Sequence, residues 1–279
     1  MQADIITKYR NGFCEVRDFL CKCRDSGLSA REYQRRFSLC YVRKGNFQFR
    51  AFRDDLDAYN GLVLVNKPGF EYRVSHEHHI PDECTIFSFD ADFYEELAAR
   101  YSAHFGGFFK DRDRPSMLIR PEMAAEYLHH RILTRLRVGA PSLEVDSLIL
   151  ELVESVLGCP QKWSDLQPLT SSQKKHHLVT VEEAKQFLQT HFSADISLDD
   201  VATACHTSKF HFSRVFRRIA GITPHQYLMR FRLNHAKQLL KNGSTSVTQA
   251  AFDSGFSDSN YFSAAFKNHY NTSPSTYLK

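Results

Sequence analysis

No run in this chain approaches the ~18–20 consecutive apolar residues that a membrane-spanning helix needs. The opening MQADIITKYR has no apolar core behind its charge, so it does not read as a secretory leader. A cytoplasmic protein with no membrane partner is the expectation. The seven cysteines are odd in number and irregularly spaced, which excludes a framework built only of paired disulfides. In a reducing compartment they are free thiols. No Ser/His/Asp set and no phosphate-cradling glycine loop stands out, and the chain is not expected to be an enzyme.

What is present points elsewhere. The 279 residues suffice for two domains, and a 42% hydrophobic content with 23 Phe can fill a sizeable core. The net charge of +4 is unevenly spread. Residues 172–279 hold 13 basic and 7 acidic side chains, whereas the remainder holds 23 and 25. A basic C-terminal third suggests a polyanionic partner.

Residues 37–90 contain the β-type runs FSLCYV, NFQFRAF, LVLV and CTIFSF, separated by turn residues at 44–46, 68–69 and 81–82. Helical periodicity follows near 91–103, 121–138 and 143–157. In the last of these Val145, Leu148, Ile149, Leu152, Val153 and Val156 make a stripe broad enough to serve the domain on one side and a second subunit on the other. A homodimer through this helix is expected. The polar stretch 159–178, with two Pro, reads as a linker between a domain over 1–158 and an all-helical domain over 179–279.

The C-terminal domain repeats itself. FHFSRVFRRIAGITPHQYL at 210–228 returns as NYFSAAFKNHYNTSPSTYL at 260–278. Upstream the copies align at an offset of 49 rather than 50, which places one extra residue at the start of the second copy's second helix. Each copy reads as a short helix, a tight turn and a longer helix. Ser197 and Ser246 are N-caps, and Gly255 and His206 occupy the two turns. Phe212, Val215, Phe216 and Ile219 form the buried stripe of the first long helix, leaving Phe210, Ser213, Arg214 and Arg217 outside. Asn260, Ser263, Ala264 and Lys267 lie outside on its counterpart. Faces that are small, polar or basic suit a helix entering the major groove of double-stranded DNA. A merely solvated face would mix Glu with Lys. Between the copies, residues 224–241 form one helix of about 27 Å, against a DNA turn of ~34 Å.

Residues 181–279 resemble the DNA-binding domain of the AraC/XylS family of bacterial transcription regulators. The resemblance rests on Arg232-Leu233-x-x-Ala236-x-x-Leu239-Leu240, Gly255-Phe256-Ser257, Tyr261-Phe262-Ser263 and Ser273-Pro274-x-x-Tyr277. It implies that Phe210, Ser213 and Arg214 face bases, as do Ser259, Asn260 and Ser263. Lys209, Arg217 and Lys267 complete the expected DNA-binding set. Where the family often has Arg this chain has Ala264, which implies fewer base contacts from the second helix. The first domain resembles the family's cupin-type barrel through Gly61-x6-Pro68-Gly69 and His76. That likeness implies effector binding and dimerisation. The fold class expected is therefore α+β multidomain, a cupin-like β-barrel with helices followed by an all-α double helix-turn-helix domain. The function the resemblance implies is that of an effector-responsive transcription regulator, with an unknown small molecule and RNA polymerase as further expected partners.

Cys21-x-Cys23, His76-x-His78 and Cys84 offer a metal site for Zn²⁺, with Cys21, Cys23, His76 and Cys84 as first ligands and His78 as substitute. The tract 69–83 resembles the cupin metal motif but has one extra residue before its first His and no Gly after Glu83. The plainer reading has no cofactor: thiols packed in the barrel and histidines on a loop. Thiol-based redox sensing is a third. The alternative functions are a cupin-type metal-dependent enzyme, or a metal or redox sensor, carrying a DNA-binding tail. An alkyl-DNA repair domain would need a four-cysteine cluster, and residues 14–40 offer one close pair.

Overall fold

The apolar runs of the first half are continuous rather than alternating because one sheet is buried on both faces. The computed structural model describes residues 2–23, 27–76, 81–102, 107–158, 169–243 and 245–278. The chain divides into two compact units, Met1–Glu182 and Glu183–Lys279. The first unit begins with β1 (Ala3–Arg10), β2 (Cys14–Cys21), β3 (Glu32–Gln34), β4 (Phe37–Lys44) and β5 (Asn46–Ala51). It continues through β6 (Asp54–Tyr59), β7 (Val63–Asn66), β8 (Phe70–Ser75) and β9 (Glu83–Phe89). Helix α1 (Ala91–Arg100), strand β10 (Ser116–Ile119), helix α2 (Met123–Arg137) and helix α3 (Ser142–Leu157) follow. One sheet has the order β1-β2-β9-β4-β7-β10 and the other β3-β8-β5-β6, with every pairing antiparallel.

The side-chain period of two sorts the larger sheet's residues between two cores. Phe37, Leu39 and Tyr41 of β4, Val63 and Val65 of β7, and Phe87 and Phe89 of β9 pack with the helices. Cys40, Val42, Leu64 and Cys84 turn the other way and meet Phe47, Phe49 and Val74 of the smaller sheet. The layers are thus helices, six-stranded sheet and four-stranded sheet, and the expected barrel is built from two facing sheets. Six of the ten strands, β1, β2, β3, β6, β8 and β10, escaped the sequence reading. Hairpin β1–β2 carries charges along both strands, and β1 is an exposed edge. Strand β10 is only four residues long.

The reading of the α3 stripe as a subunit contact needs correction. Leu148, Ile149, Leu152, Val153 and Val156 are all at most 4% exposed within a single chain. The stripe is broad because α3 packs against the sheet and against α2 together, not because it awaits a second copy. Tyr9 and Asn11 both donate to Asp146 at 2.6 Å and fix the helix to the β1–β2 turn region. Leu143 and Leu150 are the apolar residues that α3 leaves exposed.

The linker is shorter than expected. Helix α4 (Ser171–His191) starts inside the 159–178 stretch, so residues 171–178 are helical; 159–168 lie outside the described residues. A capping box starts it. The Gln173 N–H donates to Thr170 Oγ1 at 3.3 Å, and the Thr170 N–H donates to Gln173 Oε1 at 3.0 Å. The T-x-x-Q pattern was in the sequence, hidden by the serines and histidines around it. Lys174 is buried and paired with Asp57 at 2.8 Å in the first unit.

The second unit is all helical: the end of α4, then α5 (Leu198–Ala204), α6 (Lys209–Ala220), α7 (Pro224–Lys241), α8 (Val247–Asp253) and α9 (Ser259–Tyr270), closed by a 3-10 turn at Pro274–Tyr277. Helix α7 begins at Pro224 behind a Thr223/Gln226 capping box. Its buried residues serve both copies of the repeat. Tyr227 and Phe231 join Phe216 and Phe212 on one side, while Leu233, Ala236 and Leu240 join Phe262 and Phe266 on the other.

At Gly255 the backbone takes φ +83°, and an added Cβ would lie 2.8 Å from Phe192 O and 2.8 Å from Ser193 Cα. Both conformation and space require glycine. Gly255→Ala is expected to destabilise the second unit by at least ~1–3 kcal/mol, read by urea unfolding followed by circular dichroism. A change within about 0.5 kcal/mol, the scale of a neutral surface substitution, contradicts this packing.

His129 supplies a pH-dependent term in the first unit. Its ring stacks on Tyr41 at 4.0 Å between centroids and sits 3.0 Å from Thr85 Oγ1. Burial, with the charges of Arg43 and His130 adding, pushes its pKa from the ordinary 6.5 down to about 3. The folded pKa lies below the unfolded one, so the contribution is full above 6.5 and is lost as pH falls towards 3. In that window the unfolded chain takes up a proton that the folded chain refuses. His129→Gln should flatten the loss of stability across this window, measured by urea unfolding at several pH values. An unchanged slope contradicts the assignment.

Candidate nucleic-acid interface

Each repeat starts with a capped short helix. Ser197 Oγ accepts from the Asp200 N–H at 3.2 Å, and Asp200 accepts in return from the Ser197 N–H at 2.8 Å. Ser246 Oγ accepts from the Gln249 N–H at 3.1 Å. The turns differ in length. Residues 205–208 join α5 to α6, and residues 254–258 join α8 to α9. The extra residue of the second copy therefore lies in the turn, and not at the start of a helix, as the offset alone suggested. Helices α6 and α9 are both twelve residues long. The shorter turn is bought with a left-handed His206, φ +50°; the longer one uses Gly255.

Ser208 and Asp258 cap the two long helices by accepting from the N–H of His211 at 3.4 Å and of Tyr261 at 2.6 Å. Helix α6 buries Phe212, Val215, Phe216 and Ile219, as its spacing predicts, and ends on left-handed Gly221. Helix α9 buries Phe262 and Phe266 and ends on left-handed Asn271. On the outer face of α6, Lys209, Phe210, Arg214 and Arg217 are exposed and Ser213 is half-buried. On α9, Asn260, Ala264 and Lys267 are exposed while Ser259 and Ser263 are half-buried. All nine expected DNA-binding residues thus fall on two faces, one per repeat.

The faces are chemically unequal. Phe210 is 81% exposed, a large apolar side chain at the first turn of α6 with nothing covering it in the free chain. A thymine methyl is the kind of surface that fits it. Arg214 Nη2 lies 3.5 Å from His211 Nδ1, and Lys209 is held by Asp199 at 3.2 Å. Helix α9 offers Asn260 and Lys267, but Ser263 Oγ already donates to Ser259 O at 2.8 Å. Tyr261, 55% exposed beside Asn260, lies one repeat after His211 and was read only as part of a signature.

In the first unit the expected metal ligands separate. The ligand atoms of Cys21, Cys23 and His76 all lie within 4.8 Å of one another. Cys84 does not join them. Its side chain turns between the sheets beside Cys40, because β9 puts its even positions on that face. His78 lies outside the described residues. Asp82, which sequence reading passed over, places Oδ1 3.0 Å from His76 Nδ1. Burial pushes the Cys21 thiol up to about 12. Between the sheets lies a cavity of about 250 Å³ whose lining includes Phe47, Phe49, Leu64, Arg17, Gln34 and Tyr72. Arg17 Nε is buried there with no hydrogen-bond acceptor among the described residues.

Comparison with known proteins finds relatives of the second unit, one of them matching over a stretch longer than that unit. Residues 201–279 match a family model described as a helix-turn-helix domain. A protein of Photobacterium leiognathi named as a probable transcriptional regulator, LumQ, is 29% identical over 148 residues, which cover 53% of this chain and 58% of LumQ. The HTH-type transcriptional activator RhaS of Escherichia coli is 40% identical over 88 residues, 32% of either protein. The chain therefore spans roughly a third to a little over half of these curated relatives. A solved AraC-type DNA-binding-domain protein from Chromobacterium violaceum is 32% identical; the match covers 35% of this chain and 88% of that one, at a TM-score of 0.34.

The inequality of the helices is testable. Arg214→Ala should cost ~1–3 kcal/mol in DNA affinity and relax preference at one base position, as loss of a bidentate base contact does. Competition among variants of a bound fragment reads both. Equal weakening for every fragment would instead make Arg214 a phosphate anchor.

Proposed function

The C-terminal domain belongs to the AraC-type helix-turn-helix family, and from that premise we propose that the whole chain is a cytoplasmic, effector-responsive transcription regulator. Helices α6 and α9 of one molecule enter successive major grooves on one face of the duplex. The observation that carries this reading is the paired outer faces. Two capped twelve-residue helices each present small, polar or basic groups, and α7, about 27 Å long, spaces them. Base edges are read by Phe210, Ser213 and Arg214 on α6 and by Ser259, Asn260 and Ser263 on α9. Lys209, Arg217 and Lys267 meet phosphates, which supplies affinity without sequence.

The cavity of the first unit receives the effector. Apolar walls of Phe47, Phe49 and Leu64 suit a compact apolar body, and Arg17 suits a carboxylate or a similar acceptor on it. A second copy of the chain and RNA polymerase complete the partners of this reading. A homodimer that uses α3 has Leu143 and Leu150 to use, since the rest of the stripe is internal. The relatives are named as transcription regulators, which favours this reading over an enzyme with a DNA-binding tail.

Selection of genomic fragments by the full chain tests the proposal. Enriched fragments should share a motif, and affinity for them should fall steeply between ~50 and ~200 mM salt as counterions are released. No shared motif, or retention that ignores salt, contradicts it.

A further inference from the structure

Three chain segments meet at one end of the two-sheet domain. Strand β2 finishes at Cys21, β8 finishes one residue before His76, and β9 starts one residue after Asp82. Cys21 donates its N–H to Asp82 O at 3.0 Å, and Lys22 donates its N–H to Gln2 O at 2.9 Å, so the backbone around the cluster is fixed by hydrogen bonds. Cys21 Sγ lies 3.5 Å from His76 Nε2. The Cys23 N–H points at Cys21 Sγ from 3.3 Å, an arrangement that favours negative charge on that sulfur. Cys21, His76 and Asp82 are each at most 6% exposed.

The polar groups here are poorly satisfied by the protein alone. His76 Nδ1 and Asp82 Oδ1 are buried, and neither makes a well-aligned hydrogen bond among the described residues, although they lie 3.0 Å apart. A buried imidazole set between a carboxylate and two sulfurs is costly as a packing arrangement. It is the common arrangement around a ligating histidine: one ring nitrogen faces the metal and the other faces a carboxylate that fixes the ring.

The geometry points to a thiophilic transition-metal site, Zn²⁺ foremost, with Cys21 Sγ, Cys23 Sγ and His76 Nε2 as ligands and Asp82 as the residue that orients His76. Two thiolates and an imidazole suit Zn²⁺, and three protein ligands leave one tetrahedral position for water or a small donor. Each cysteine binds as thiolate, so loading releases a proton from each thiol. Strand β2 belongs to the six-stranded sheet and β8 to the four-stranded one, so the bound ion ties the two sheets together at this end. Asp82 and Cys84 also line the cavity, which places the metal one side chain from the space between the sheets. Cys84 itself is not a ligand. The inference is independent of the DNA-binding reading, because it uses residues of the first unit alone.

The test uses the full, untagged chain, reduced and stripped of metal, titrated with Zn²⁺ against a chromophoric chelator and separately with Co²⁺. About one equivalent of Zn²⁺ should bind, and the Co²⁺ form should show thiolate-to-metal charge-transfer absorption. Cys23→Ser and His76→Ala should each lower affinity at least tenfold, and Asp82→Asn roughly 10–100-fold, the usual effect of losing a residue that orients a ligand. Cys205→Ser, in the other unit, should bind like the parent. Zn²⁺ should raise the melting temperature of the parent and not of His76→Ala. No saturable binding by the parent, or a Co²⁺ spectrum without the thiolate band, overturns the site whether or not the variants fold. Parent-like affinity in Cys23→Ser and His76→Ala overturns the ligand assignment, as does a Cys21–Cys23 disulfide that forms in preference to metal uptake.

Discussion

Residues 192–194, just after α4, are gripped from two sides, and the DNA-binding unit is organised around that grip. Arg232, in the middle of α7, donates from Nε to Phe192 O and from Nη2 to Ala194 O, both at 2.7 Å. The turn of the second repeat presses its backbone on the same segment, closely enough that Gly255 has no room for a Cβ. Phe192 packs its ring on Phe231 and His235 of α7. The end of α4, the spacer helix and the second turn are therefore pinned at one place. Helix α9 starts four residues after Gly255, so its placement relative to α7 follows from this contact.

The two repeats reach the same geometry by different local means. The first closes its turn with a left-handed histidine and presents Phe210, Arg214 and Arg217. The second spends one more residue, uses glycine, and presents Asn260, Ala264 and Lys267. A common inner stripe of phenylalanines lets the outer faces diverge, because nothing on the outer face contributes to the core. Two readers with different chemistry suit an asymmetric site, which a monomer can recognise without a palindrome.

Much of the second unit was legible because local signals agree with one another. Caps at Ser197 and Ser246, the Phe212/Phe216 and Phe262/Phe266 stripes and the Pro224 start all appear where the sequence places them. The position of the extra residue was not legible, since an alignment offset cannot say whether a turn or a helix absorbs it. In the first unit, long apolar runs marked the central strands but not the charged edge hairpin β1–β2. The breadth of the α3 stripe was visible, but whether it faced one partner or two depends on packing across the sheet. The cluster of Cys21, Cys23 and His76 was visible as a spacing. The exchange of Cys84 for Asp82 depends on where β9 begins: Asp82 lies just before the strand and meets His76, whereas Cys84 lies within it and packs between the sheets.

The central claim is that one molecule places α6 and α9 in successive major grooves. Hydroxyl-radical footprinting of the chain on a selected fragment measures this directly, repeated after five and then ten base pairs are inserted between the two protected regions. The account predicts protections about one helical turn apart, ~10 bp, on one face of the duplex, with half-turn insertion abolishing simultaneous protection. Full-turn insertion should also fail for a single molecule, since α7 cannot lengthen. Continued protection of both regions in either insertion by a monomer would show that the two helices are not held at a fixed spacing, and would contradict the account.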